Sequence, residues 1–192
     1  INLSLISGSG TPVKFEPTFS NIFTDLDWNH YAFTVLSSPS GLMTKAFKNG
    51  QLFDDQGTTS KHIPNILPTT DGLNARIGSF KDNTISVFTG SMDEFRFGKT
   101  ARSTEDIFNT WFIPVGGGTN KHDSNISLGC YFKFNEGITG NTILDKKVLD
   151  YSGRINNGTI ENYAATHRET GSAITEKLNE PEFLDPIIYS TH

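Results

Sequence analysis

The chain has 192 residues, with 16 Lys and Arg against 21 Asp and Glu and a formal charge of −5, so a basic nucleic-acid groove or a polybasic membrane anchor is not its main business. Hydrophobic residues make up 35% and include 15 Phe against 2 Met and 1 Cys, a balance that leans towards an aromatic, β-rich core. No apolar run reaches the roughly 18 residues needed to span a bilayer, and the length suits one domain or one and a half small ones.

Residues 1–8 alternate and predict a strand, closed by Gly8-Ser9-Gly10. A second extended stretch runs from Pro12 to Phe19. Residues 28–37 predict a strand in which Tyr31, Phe33 and Val35 share one face. Pro39-Ser40-Gly41 turns the chain into a strand over Met43–Lys48. Asn49-Gly50 is the strongest two-residue hairpin signal in the chain, with Gln51-Leu52-Phe53 returning. Residues 54–71 are polar, contain Pro64 and Pro68, and predict a long surface loop. Strands are expected over Asn74–Phe80, Thr84–Phe88 and Met92–Phe97. In the last of these, Phe95 and Phe97 would face inward, with Glu94 and Arg96 as a charge pair outside.

The pattern then changes once. Ser103 precedes a helical stretch as N-cap, with Asp106 in the acidic capping-box position and Glu105 in the first turn. Pro114 and Gly116-Gly117-Gly118 read as a linker that a helix cannot cross. Strand signals resume over Ile126–Phe134 and end at Asn135-Glu136-Gly137. Asp145–Asp150 leads to Tyr151-Ser152-Gly153, and Asn156-Asn157-Gly158-Thr159 makes another tight turn. Beyond Tyr163 the periodicity fades. The expectation is all-β: an antiparallel jelly-roll sandwich with one short helix and an irregular C-terminal tail. It divides into a sandwich over 1–112, a linker over 113–125, further strands over 126–163, and the tail over 164–192.

Three segments together resemble the laminin-G-like and concanavalin A-like lectin jelly-roll family. The first is Asp27-Trp28-Asn29-His30-Tyr31 with the later Lys45-Ala46-Phe47-Lys48-Asn49-Gly50. The second is Phe88-Thr89-Gly90-Ser91-Met92-Asp93-Glu94-Phe95-Arg96-Phe97, followed by Ala101-Arg102-Ser103-Thr104-Glu105-Asp106-Ile107. The third is Tyr131 to Gly137 with Asp150-Tyr151-Ser152-Gly153-Arg154-Ile155-Asn156-Asn157-Gly158-Thr159. The order departs from the family, whose closing motifs here come first and whose opening motif comes last. Two arrangements follow: a permuted sandwich, with residues 127–160 beside those of 85–97, or the end of one domain joined to the start of another. Completion by strands of another subunit is a third. Ile1 in place of Met reads as the start of a processed product or an excerpt.

No catalytic signature stands out. Asp93 and Glu94, adjacent in an expected strand, would point to opposite faces and could not flank one glycosidic bond. There is no nucleophile elbow, P-loop or dinucleotide fingerprint, and the five His have no zinc spacing. His30 is expected to hydrogen-bond within the sandwich. Cys130 is alone, so an intramolecular disulfide is excluded, and it reads as a small core residue. Calcium is the one cofactor with suitable oxygens, from Asp54, Asp55, Asp82 and Asp150, helped by Asp71 and Asn83; the alternative is that these are solvated turn residues and no cofactor binds. Tyr31, Trp111, Tyr131 and Tyr163 are the rings on which a sugar could stack. Asn2, Asn125 and Asn157 lie in glycosylation sequons.

These features, with the family resemblance, imply a non-enzymatic structural or assembly protein of a virion surface or extracellular filament, associating with itself or with other structural subunits. The alternative is a carbohydrate-binding module, with glycans as partners and calcium as a helper. Neither nucleic acid nor membrane is an expected partner.

Overall fold

The computed structural model describes residues 5–6, 14–15, 19–20, 22, 27–59, 76–80, 83–113 and 127–168. These residues form small antiparallel sheets with few helices, an all-β architecture.

Two short pairs open the description: β1 (Leu5–Ile6) against β2 (Lys14–Phe15), and further on β6 (Ser79–Phe80) against β7 (Asn83–Val87). The largest sheet lies between them. It joins β3 (Tyr31–Ser38), β4 (Gly41–Lys48) and β5 (Gln51–Thr59) in sequence order. Both connections are tight. Ser38 Oγ donates to the carbonyl of Gly41 at the first. At the second, Asn49 and Gly50 take φ of 50° and 77°, the two left-handed positions that a two-residue hairpin demands.

Register places Tyr31, Phe33 and Val35 opposite Lys48, Ala46 and Thr44, on one face. Phe33 and Tyr31 pack there with Phe19, Ile22 and Ala46, and the Phe19 and Phe33 rings meet at 5.4 Å. The central strand β4 is buried on both faces, since Leu42, Thr44, Ala46 and Phe47 are all enclosed.

β5 runs to Thr59, well past the expected end at Phe53, and takes in residues assigned to a loop. Two interactions carry the polar half of the strand. Lys45 Nζ lies 3.2 Å from Asp55 across the pair. Asp55 Oδ1 also accepts the N–H of Gly57, whose φ of 64° accommodates the irregularity.

β8 (Phe95–Gly98) pairs antiparallel with β9 (Leu128–Phe132), setting Phe95 against Phe132 and Arg96 against Tyr131. Residues from the two sides of the Gly-rich linker thus lie side by side. The charge pair expected on the outside of β8 is turned inward instead. The side chains of Glu94 and Arg96 are 17% and 21% exposed, whereas Phe97 is 57% exposed. Tyr131 explains the inversion: its hydroxyl donates to Glu94 Oε2 and its ring lies 5.4 Å below the Arg96 guanidinium. Asp93 and Glu94 precede β8, so the strand alternation expected to separate them does not apply; Asp93 Oδ1 accepts the N–H of Glu94.

Helix α1 (Thr104–Thr110) starts as the sequence predicts. Ser103 Oγ accepts from the N–H of Asp106, and Asp106 Oδ2 accepts from the N–H of Ser103. A second helix, α2 (Thr142–Asp145), was not expected. Asn141 caps it, and Asp145 folds back to accept from Thr139 and Gly140. β10 (Lys147–Val148) follows and pairs with β11 (Gly158–Thr159), where a tight turn was expected.

The first residues of the expected irregular tail are ordered. Ala165–His167 form a single 3₁₀ turn, and the buried Arg168 guanidinium binds Glu136 Oε2 at 2.8 Å and the carbonyls of Asp145 and Lys147 at 2.9 and 2.6 Å. Residues 114–125 of the linker and 169–192 of the tail lie outside the described residues. No helix among the described residues is long and apolar enough to cross a membrane.

Candidate functional site

The first of the resembling segments forms the β4–β5 hairpin turn. Asn49 ties the turn to the two residues just ahead of β3. Its Oδ1 accepts the N–H of His30 at 2.9 Å, its own N–H donates to the His30 carbonyl at 2.9 Å, and its Nδ2 donates to Asn29 Oδ1 at 2.8 Å. The hydrogen bonding expected of His30 therefore runs through its backbone. Its ring Nδ1 is buried without a hydrogen-bond partner.

Trp111, at the C-cap of α1, covers this turn. Its indole sits where a Cβ on Gly50 would be, so only glycine admits it. The same indole lies 5.9 Å from the His30 ring. Arg96 braces the end of the helix, donating from Nη2 to the carbonyl of Ile113 at 2.7 Å. Burial, reinforced by the positive charge of Arg96, pushes the His30 imidazole down from 6.5 to about 4. The ring is therefore neutral at physiological pH.

A shallow open depression lies at the same turn, lined by Lys48, Asn49, Gln51, Leu52 and Phe53. Leu52 and Phe53 expose much of their apolar surface. Tyr31 pairs with Lys48 in the register, and Lys48 Nζ stands 6.0 Å from its ring centroid. Two of the four rings nominated for sugar stacking, Tyr31 and Trp111, thus belong to one end of the sheet, and both are half-buried. The other two lie elsewhere. Tyr131 is 0% exposed and offers no ring face to a ligand: β9 turns it into a cluster with Leu128 and Tyr151, with Lys133 Nζ over both tyrosine rings. Tyr163 is half-buried against His167, its hydroxyl enclosed without a partner. Lys48, Gln51 and Phe53 were not singled out from the sequence; the signal available was that they flank Asn49-Gly50.

The nominated calcium oxygens that are described, those of Asp54, Asp55 and Asp150, are not brought together. Asp54 and Asp55 sit on strand β5 rather than in a loop, where Asp54 accepts from Gln56 Nε2 and Asp55 faces Lys45. Asp150 is occupied by the protein itself. Its Oδ1 accepts from the N–H groups of Tyr131 and Ser152, and its Oδ2 from the Ser152 hydroxyl and the N–H of Asn156. Burial alone would raise its pKa, but these donors outweigh it and hold the carboxyl below its ordinary value. Asp82 and Asp71 lie outside the described residues. Among the described residues, no three His, Cys, Asp or Glu side chains form a group suited to a metal.

Asn157 is exposed, and its Oδ1 accepts the N–H of Asp150 at 2.9 Å. Asn2 and Asn125 lie outside the described residues. Cys130 is half-buried and free; burial, then the Asp150 charge, pushes its thiol above the ordinary range, which disfavours the reactive thiolate.

No family model matches the chain, no curated protein matches it, and no solved structure matches it.

Proposed function

We propose that this chain is a non-enzymatic structural module that self-associates within a virion surface or an extracellular filament, built on a lectin-like jelly roll. The observation that carries the reading is the apolar surface between residues 138 and 155. Ile138, Ile143, Leu144, Leu149 and Ile155 are all exposed, Ile143 to 68% and Ile155 to 79%. Apolar side chains this exposed, where they adjoin one another, mark a surface that another protein covers. This segment is also held in shape by Asp145, Asn141 and Arg168, so a partner would meet a formed surface. The pairing of β8 with β9, which a permuted sandwich requires, supports the jelly-roll part of the reading.

Sedimentation velocity over a wide concentration range tests it. Concentration-dependent assemblies are expected, and Ile143→Glu with Leu144→Glu is expected to return the chain to monomer. A wild-type chain that stays monomeric at high concentration sinks the proposal.

The depression beside Trp111 favours a second reading, a carbohydrate-binding module. Phe53 offers an apolar face, Lys48 and Gln51 offer donors, and Tyr31 and Trp111 stand close by. A glycan array run with and without chelator distinguishes the two: binding that Phe53→Ala removes supports the module, and silence across the array counts against it.

A further inference from the structure

We propose that His30 is an acid-sensitive latch for helix α1: protonating its enclosed imidazole beside Arg96 lifts Trp111 off the β4–β5 turn and releases the end of the helix.

The geometry leaves the neutral ring little freedom and the charged ring no welcome. Asn49 grips the backbone of His30 through two hydrogen bonds and donates a third to the side-chain oxygen of Asn29. The backbone that carries the imidazole is therefore fixed at the hairpin turn. Trp111 covers the ring from the α1 side, and its fit depends on the bare backbone of Gly50. Nδ1 is buried and has no acceptor to receive a proton's hydrogen bond. A buried donor left without an acceptor is costly, and a buried cation more so.

The charged surroundings point the same way. From β8, the charge felt by His30 is the Arg96 guanidinium. Arg96 has its own carboxylate, Glu94, at 3.6 Å. Ahead of α1, Arg102 adds a second cation to the field of Arg96, offset by Asp106. From α1 itself the facing side chain is Trp111, and from the turn it is Asn49; neither carries charge. Lys48, ending β4, adds a further cation over Tyr31. A proton on His30 thus arrives beside Arg96, and Arg96 also holds the Ile113 carbonyl. Repulsion between the two cations pulls at both fastenings of the helix end, Trp111 on Gly50 and Ile113 on Arg96.

The latch works by linkage. The closed form binds the proton with a pKa of about 4 against the ordinary 6.5, so the opening equilibrium rises as pH falls through that window, by up to about 300-fold. Opening uncovers Trp111 and the buried Ile107 face of α1.

The test uses the chain carrying Trp28→Phe, which leaves Trp111 as the sole tryptophan reporter. Between pH 6.5 and 4 its emission is expected to shift to the red, and the protection factors of the amides over 103–113, each taken against the intrinsic exchange rate at that pH, are expected to fall. His30→Gln, which cannot take a proton, is expected to flatten both responses. A response that His30→Gln retains, or no response in the parent chain down to pH 4, overturns the proposal. Should His30→Gln fail to fold, NMR titration of the His30 imidazole decides. It is expected to titrate near 4 in the parent and to return towards 6.5 in Trp111→Ala. An unchanged, depressed titration in Trp111→Ala overturns the latch.

Discussion

Gly50 and Gly57 both take left-handed backbone angles, yet they do different work. At Gly57 a Cβ would meet nothing within 4 Å, so Gly57→Ala carries only the backbone penalty of a left-handed residue, about 1–2 kcal/mol. At Gly50 the same substitution also collides with the Trp111 indole, which adds about 1–3 kcal/mol of overpacking. Urea denaturation of the two variants should separate them, with Gly50→Ala clearly the less stable. Asp150 shows the same dependence on neighbours. Asp150→Ala strands three backbone N–H groups and a hydroxyl, a loss of about 2–3 kcal/mol at neutral pH. Equal stability of wild type and variant in that titration would mean that water replaces the carboxylate without cost. The sequence named both residues, Gly50 as a turn and Asp150 as an oxygen donor. It could not show that Trp111 needs the first or that Tyr131 uses the second.

Elements whose signal is local were legible. The Ser103–Asp106 capping box needs only four residues, and α1 starts where they place it. The Asn49-Gly50 hairpin is likewise local, because two left-handed residues in succession leave the chain one way to turn. Elements held by distant partners were not legible. The second half of β5 reads as polar loop because its support, Lys45, lies on another strand. Helix α2 is a single turn whose stability comes from Asp145 folding back and from Arg168, 23 residues further on. Arg168 ties the residues after Glu136 to those around β10 through four hydrogen bonds. Arg168→Ala leaves the Glu136 carboxylate, 13% exposed, without its cation. Breaking such a pair costs about 3–5 kcal/mol. Hydrogen exchange over 136–148 should accelerate accordingly. Arg168→Lys is expected to recover little, since an ammonium cannot reach acceptors on three separate residues in one plane. Exchange indistinguishable from wild type in Arg168→Ala would refute this account of the tail.

For the whole molecule, acid stability is set by a few groups that folding removes from water. His30 binds its proton more weakly when folded, with a pKa of about 4 against 6.5. Its contribution is therefore complete above pH 6.5 and is lost as pH falls towards 4. The difference is on the order of 3 kcal/mol. Asp145 and Asp150 work in the adjoining window. Asp145 is held low first by the Thr139 hydroxyl, then by the N–H of Thr139, and Asp150 by its backbone donors. Both folded values lie below 3.8, so their contribution begins to fade only as pH drops through that value. Denaturation midpoints measured from pH 8 to 3 should show a shallow decline below 6.5 that His30→Gln abolishes, then a steeper fall below about 4 that it leaves in place. A single fall below 4, identical in both chains, would contradict the assignment to His30.

Composition and turn chemistry were enough to anticipate an all-β chain with tight turns and the capped start of α1. These properties follow from interactions between residues near one another in sequence. Which side chains face inward was decided only by tertiary contact. Alternation within β8 places Arg96 on one side and Phe95 and Phe97 on the other, but it does not say which side is covered. The strand that pairs with β8 comes from beyond the Gly-rich linker and brings Tyr131 against Arg96. Its hydroxyl and ring satisfy the charges of Glu94 and Arg96, so the polar side is enclosed and Phe97 is left in solvent. The meeting of His30, Arg96 and Trp111 has the same origin. Three segments spaced along the chain converge on one hairpin turn, and no periodicity within any one of them encodes that convergence.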